Sequence, residues 1–136
     1  MIKLITIDVD GTLVTPLKRL TKANITAIDK ARDHGVHIAL ASGRPYSGMK
    51  ELVNKLNLNQ EGNFTVCQNG SYIFDNYTHQ PISGTYQKPI DLKIIDDLLK
   101  SYNVQISAMD HESFYSRHIK TNIYTKIDAK ISNLPL

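Results

Sequence analysis

The run Ile2-Lys3-Leu4-Ile5-Thr6-Ile7-Asp8-Val9-Asp10-Gly11-Thr12-Leu13 ends an apolar stretch in two carboxylates one residue apart, followed by a glycine. Side chains alternate along a strand, so Asp8 and Asp10 set out on the same face. Two acids crowded together are costly unless a cation or a proton compensates them, and that points to metal or proton-transfer chemistry. Gly11 permits a sharp turn that brings backbone N–H groups against an anion. A calcium loop of the EF-hand type also begins D-x-D, but it needs Gly at its sixth position and Glu at its twelfth. Counted from Asp8, those positions hold Leu13 and Arg19, so that chemistry is excluded.

The elements that must hold these acids can be read from periodicity. A strand over about residues 2–8 leads to a loop containing Pro16. Thr21 suits the N-cap of a helix over Lys22 to His34, with Ala23, Ala27, Ile28 and Ala31 as its apolar stripe and Gly35 just past its end. A second strand, Val36 to Ala41, stops at Ser42-Gly43-Arg44-Pro45. A helix over about 46–57 carries Met49, Leu52, Val53 and Leu56, and a third strand, Phe64 to Cys67, stops at Gln68-Asn69-Gly70. The β-α-β-α-β alternation predicts an α/β fold, a doubly wound, Rossmann-like parallel sheet with right-handed crossovers. The carboxyl ends of such strands lie along one edge. The turns Asp8 to Thr12, Ser42-Gly43-Arg44 and Asn69-Gly70 therefore converge. They bring together acids, a hydroxyl, backbone donors and a guanidinium, the parts of a magnesium-dependent phosphoryl site.

After Gly70 the pattern changes. Tyr72-Ile73-Phe74 and Ile82 to Tyr86 read as a hairpin around Asn76 to Pro81. Asp91 reads as the cap of a helix over Leu92 to Tyr102, with Ile94, Ile95, Leu98 and Leu99 inward. Val104 to Ala108 alternates, then turns at Asp110-His111-Glu112 into Phe114-Tyr115-Ser116, and the tail from Ile119 to Leu136 has a weak helical signal. This α-β-β unit has antiparallel character, so a boundary is expected near residue 84, giving regions 1–83 and 84–136.

Composition narrows the function classes. The 136 residues carry a formal charge of only +3, with Lys and Arg scattered and no basic stripe with interleaved aromatics, so nucleic acid is not an expected partner. No run reaches membrane-span length, and Asp8 and Asp10 interrupt the N-terminal apolar run as a signal peptide would not. The single cysteine, Cys67, lies in an apolar run and reads as a buried small hydrophobe; a lone thiol fits a reducing, cytoplasmic setting. The five histidines are scattered and form no site pattern.

Together these features resemble the haloacid-dehalogenase superfamily of phosphatases, and specifically its Cof-type group. Asp8-Val9-Asp10-Gly11-Thr12 matches the family's D-x-D-G-T motif, Ser42 stands where the second motif places Ser or Thr, and Ser42-Gly43-Arg44 and Asn69-Gly70 are typical of the Cof-type group. The α-β-β unit is similar to the first half of that group's cap domain, so 1–83 would be the N-terminal part of the core and 84–136 a partial cap. The resemblance implies that Asp8 is the nucleophile and Asp10 the general acid and base. It implies Mg2+ on the Asp8 carboxylate and the Asp10 carbonyl, phosphate contacts from Gly11, Thr12, Ser42 and Gly43, and Arg44 at the substrate mouth. Asn69 is the weaker candidate, since it suits a turn equally well. The implied substrate is a small phosphorylated metabolite, such as a sugar phosphate. The family's third-motif lysine and fourth-motif acidic pair follow the cap and have no counterpart here. Lys88, Lys93, Lys100, Lys120, Lys126 and Lys130 lack that context, and Asp96-Asp97 lacks the preceding glycine. The expectation is therefore a truncated phosphatase with little activity of its own. It would self-associate through the edge of strand one, where the family's later strands would pair. The alternatives are a catalytically silent fragment that binds magnesium or phosphate, and a phosphomutase sharing the first motif.

Overall fold

A computed structural model describes residues 2–110, 113–116, 122–132 and 135. The chain divides into two compact units, Met1–Gly84 and Thr85–Leu136.

The first unit is built on a five-stranded sheet in the order β1-β2-β3-β4-β5, with β1 Leu4–Asp8, β2 His37–Ala41, β3 Phe64–Cys67, β4 Tyr72–Asp75 and β5 Pro81–Gly84. β1, β2 and β3 are parallel; β4 and β5 are antiparallel additions, so the Tyr72 hairpin extends the main sheet instead of standing apart. In register, Asp8 lies beside Ala41, and Ala41 beside Val66, which brings the three strand ends to one edge.

Helix α1, Lys22–Asp33, is capped as its sequence predicts, with Thr21 Oγ1 accepting from the Asn24 N–H at 3.1 Å. Its inward face differs from the expected stripe. Ile28 is buried, and Ile25 and Ala31 pack beside it, whereas Ala23 and Ala27 face solvent. The bulkier isoleucines gain more from burial than a methyl does, and they set the helix rotation. The expected second helix is a single 3₁₀ turn at Tyr46–Gly48 followed by α2, Lys50–Lys55. Met49, Val53 and Leu56 from this segment join Val9, Ile38, Leu40 and Leu58 in a fully enclosed core.

The second unit contains α3 Pro89–Leu99, β6 Ser107–Met109, β7 Phe114–Ser116 and α4 Ile123–Ser132. α3 starts earlier than its periodicity suggests. Pro89 takes the first helical position, where a missing N–H leaves no hydrogen bond unmade. Asp91 therefore caps from inside the helix and not from its start, its Oδ2 accepting the Lys88 N–H at 3.1 Å. Ile94, Ile95 and Leu98, expected inward, are exposed, and only Leu99 of that set is half-buried. The first strand of this unit begins later than the alternation suggests, because Val104 to Ile106 lie outside β6. Among the described residues of this unit, Phe114 and Ala129 form a small buried cluster. Asn122 Oδ1 accepts the Thr125 N–H at 2.8 Å and so starts α4. His111 and Glu112 of the expected turn, Lys120, and parts of the expected tail helix lie outside the described residues.

Candidate active site

Asp8 is the last residue of β1, and the chain then coils tightly. The Leu13 N–H donates to the Asp8 carbonyl at 3.1 Å and the Val14 N–H to the Val9 carbonyl at 3.0 Å. Val9 and Leu13 are buried and anchor this turn in the core, while Asp8, Asp10, Gly11 and Thr12 remain exposed on it. Gly11 has φ +89°, a left-handed conformation that glycine adopts without strain.

The second strand end sits against the first. Arg44 grips the Asp10 carboxylate with a fork, Nε donating to Oδ2 at 3.0 Å and Nη2 to Oδ1 at 2.6 Å. Such a bidentate pair fixes both groups in one plane. Lys18 also reaches this carboxylate, its Nζ donating to Oδ1 at 2.5 Å. Partial burial opposes ionisation of Asp10, but the hydrogen bonds from Lys18 and Arg44, with their charges, outweigh it and hold the carboxyl below its ordinary range. Asp8 has no side-chain hydrogen bond among the described residues, so the two acids differ: one is clamped, the other open.

The Ser42 hydroxyl oxygen accepts the Arg44 N–H at 3.2 Å, which leaves its hydrogen able to donate elsewhere. The third strand end braces the second. The Gln68 N–H donates to the Arg44 carbonyl at 3.0 Å and the Asn69 N–H to the Ser42 carbonyl at 3.4 Å. Gln68, Asn69 and Gly70 all have positive φ, and a Cβ on Gly43 would lie 2.9 Å from Asn69 Oδ1. Gly43 is therefore needed for the close approach of Asn69, and Asn69 holds the turn. Of the sequence candidates, Asp10, Ser42, Gly43, Arg44 and Asn69 are linked by direct contacts, and Asp8, Gly11 and Thr12 lie on the adjoining turn.

Lys18 is not among the sequence candidates. It lies in a tight turn, where its N–H donates to the Thr15 carbonyl at 2.8 Å, and its own φ is +58°. The one signal for it is the Pro16-Leu17-Lys18 turn shortly after Asp10, but a lone lysine in a loop ordinarily reads as solvated.

Among the described residues no three His, Cys, Asp or Glu side chains gather as a metal cluster. The oxygens suited to a hard cation are the open Asp8 carboxylate and the Asp10 carbonyl, which accepts no backbone hydrogen bond among the described residues. That pair fits magnesium, which commonly takes one or two carboxylates and keeps several waters. Cys67 is fully buried and burial pushes its thiol up to about 12, so it is chemically inert at neutral pH.

The chain is 31% identical over 135 residues to a protein of Streptococcus pyogenes, covering 99% of this chain and 50% of that one. It is 39% identical over 74 residues to the 5-amino-6-(5-phospho-D-ribitylamino)uracil phosphatase YcsE of Bacillus subtilis, covering 54% of this chain and 28% of that protein. Its fold superposes on the crystal structure of a haloacid dehalogenase-like hydrolase from Bacteroides thetaiotaomicron with a TM-score of 0.85 at 23% identity, covering 99% of this chain and 50% of that one. The chain thus spans about half the length of these full-coverage relatives. The profile of the haloacid dehalogenase-like hydrolases matches residues 5–134, and the chain belongs to that family.

Proposed function

We propose that this chain carries the phosphoryl-transfer half of a magnesium-dependent phosphatase acting on small phosphate monoesters through an aspartyl-phosphate. The observation that carries the reading is the pairing of an open Asp8 with a clamped Asp10 at the meeting point of two strand ends. Asp8 is the nucleophile: a carboxylate oxygen forms a bond to phosphorus as the ester P–O bond breaks. Asp10 gives a proton to the leaving alkoxide, then takes one from the water that hydrolyses the acyl phosphate and releases inorganic phosphate. Its clamp keeps the carboxyl ionised, which suits the second step. The first step needs Arg44 and Lys18 to turn from Asp10 toward the incoming ester. Ser42 donates its hydroxyl to a phosphoryl oxygen, and Gly11, Thr12 and Gly43 border the same space. Bound to Asp8 and the Asp10 carbonyl, Mg2+ would neutralise charge on the phosphoryl group.

In this reading residues 1–83 are core and 84–136 part of a cap, and the setting is cytoplasmic. The relative named for a phosphoribitylamino substrate supports sugar or polyol phosphates as the class, because the fork of Arg44 suits hydroxyl-rich groups. Among the described residues no cation pairs with Asp8, so the 136-residue chain alone should turn over slowly. Incubation with magnesium and acetyl phosphate, followed by peptide mass spectrometry, tests the assignment. One phosphoryl group should appear on Asp8 and vanish in Asp8→Asn. Label on another residue, or none, would overturn it. Self-association is the remaining partner reading.

A further inference from the structure

The loop after the two acids is a short hairpin. Val14 bridges antiparallel to Leu20, and the Thr15 N–H donates to the Arg19 carbonyl at 3.0 Å. The Thr15 hydroxyl oxygen accepts the Arg19 N–H at 3.1 Å. Val14 is buried and Leu20 packs against the same core, so the base of the hairpin is anchored. Its tip, Pro16-Leu17-Lys18, is thereby held in place. Lys18 has φ +58° there, a left-handed conformation that strains a lysine and not a glycine. Its ammonium reaches back to Asp10 Oδ1 at 2.5 Å, the same oxygen that receives Arg44 Nη2 at 2.6 Å. Two cations thus share one carboxylate, and neither pairs with another acid among the described residues. An ammonium has three N–H donors and a guanidinium five, so most of them are not engaged by Asp10.

We infer that Lys18 is a specificity-determining residue which, with Arg44, seats a second acidic group of the substrate, a carboxylate on the leaving side of the phosphate ester. The inference rests on the phosphatase reading and narrows its substrate class. The Asp10 carboxylate shows what the seat accepts. It is a planar oxyanion held on both oxygens by the Arg44 fork and on one of them by Lys18. In the phosphatase reading Asp10 meets the leaving oxygen, so the part of the substrate that comes nearest to its two cations is the leaving group. A neutral polyol there leaves one of the two positive charges unmatched. A leaving group with its own carboxylate matches both. Drawn toward it, Arg44 and Lys18 release Asp10 to approach the leaving oxygen. Lysine suits this exchange, because a compact charge on a flexible four-carbon stem can pass between neighbouring carboxylates while the hairpin fixes its root. The class becomes phosphorylated hydroxy acids, the acid forms of sugars and polyols among them.

Two probes differ in this group alone. 3-Phosphoglycerate and glycerol 3-phosphate are both three-carbon phosphate monoesters, one ending in a carboxylate and the other in a hydroxymethyl group. Each is titrated into the 136-residue chain with magnesium, and amide shifts in proton–nitrogen NMR spectra give its affinity and its place. Both should shift the turns at Asp8 to Thr12 and Ser42 to Arg44, with 3-phosphoglycerate bound about three- to tenfold more tightly. Lys18→Met should bring the ratio of the two affinities to within about twofold, and Lys18→Arg, which keeps the charge, should retain it. Lys22→Met removes the same charge from an exposed position on α1 and should leave the ratio as in the parent. Should Lys18→Met lose the dispersed spectrum of the folded chain, Lys18→Gln replaces it. Equal binding of the two esters by the parent, a preference that survives loss of the Lys18 charge, or one lost equally in Lys22→Met would overturn the inference and leave the phosphatase reading standing. So would an equal loss of affinity for both esters without Lys18, which would put its ammonium on the phosphoryl group. Binding of neither ester would overturn both.

Discussion

The two units of this chain bury their apolar residues very differently. In the first, Val9, Leu40, Met49, Val53, Leu58 and Cys67 are completely enclosed, and Val9 belongs to the turn that carries Asp8 and Asp10. In the second, Ile90, Leu92, Ile94, Ile95 and Leu98 of α3 are all exposed, and among the described residues the buried apolar cluster consists of Phe114 and Ala129. Helical periodicity is equally clear in α1 and α3, so local pattern does not separate the two regions. What separates them is the size of the sheet in each unit: five strands in the first, two three-residue strands in the second. Most helix stability in proteins comes from packing, not from propensity. Positions of chemical interest sit on the unit where geometry is fixed by enclosure.

Substitution in the core should separate the two units most sharply. Leu40→Ala in β2 should cost about 2–5 kcal/mol, the usual range for emptying a packed leucine site. Leu98→Ala in α3, 69% exposed, should stay within about 0.5 kcal/mol. Chemical denaturation of both variants decides it: comparable losses would mean that α3 is covered in solution. Hydrogen exchange sharpens the same point, with amides of β2 and β3 protected to near the global unfolding limit and those of α3 opening by local fluctuation.

Effects at the site itself come next. Ser42→Ala removes one donor to a charged oxygen, an interaction worth roughly 1.5–3 kcal/mol, and should lower phosphorylation of Asp8 by acetyl phosphate about 10–100-fold. Arg44→Ala should instead alter which phosphate donors are accepted, since its fork faces the leaving-group acid. Equal, donor-independent losses in both variants would refute that division.

The core strands and the convergence of their ends are legible in the sequence because alternation, glycine turns and buried aliphatic runs are local signals. The Asp8-to-Thr12 motif tells where acids will lie. It does not tell that Asp10 is held by Arg44 and Lys18, because those contacts span 34 and 8 residues and depend on strand register and on a tight turn. The stripe of α1 departs from expectation at Ala23 and Ala27, since alanine patterns weakly. The inward face of α3 departs for the opposite reason: a strong pattern says which face would bury, not whether anything covers it.

Gly62 probes the enclosed unit at intermediate cost. Its φ is +85°, and a Cβ there would stand 2.3 Å from the His37 ring. Gly62→Ala should destabilise by about 1–3 kcal/mol through strain and displacement of His37, and adding His37→Ala should recover the steric part only. Denaturant titration of the single and double variants checks this, and full recovery in the double variant would show that the backbone conformation carries no strain. Alkaline titration probes the enclosed interior. Burial pushes Tyr46 and Cys67 each up to about 12 from ordinary values of 10.0 and 9.0. The folded chain thus keeps protons that the unfolded chain releases. Their contribution is full below about pH 9 and is lost progressively as pH rises from there toward about 12. A stability profile flat between about pH 9 and about pH 11 would contradict this enclosure.

The smallest effect concerns Lys18, where two influences oppose one another. Its left-handed backbone favours glycine, so Lys18→Gly should relieve strain worth up to about 1 kcal/mol. The same change removes an ion pair whose side chains are 58% and 37% exposed, and such pairs contribute about 0–1 kcal/mol. Net stability should therefore move by less than about 1 kcal/mol in either direction. The Asp10 carboxyl should respond more visibly. With one of its two cations gone, it should titrate at higher pH than in the parent, though still below its ordinary range because Arg44 remains. Carbon-13 chemical shifts of the aspartate carboxyls, followed from neutral pH into acid, resolve this directly. Since the clamp lowers the Asp10 pKa, whatever stability it gives is complete above the ordinary aspartate pKa and fades as pH falls through the folded value. Lys18→Gly should therefore show a weaker acid dependence than the parent while staying close to it at neutral pH. An unchanged Asp10 titration would show that Lys18 rests on the carboxylate without shaping its chemistry.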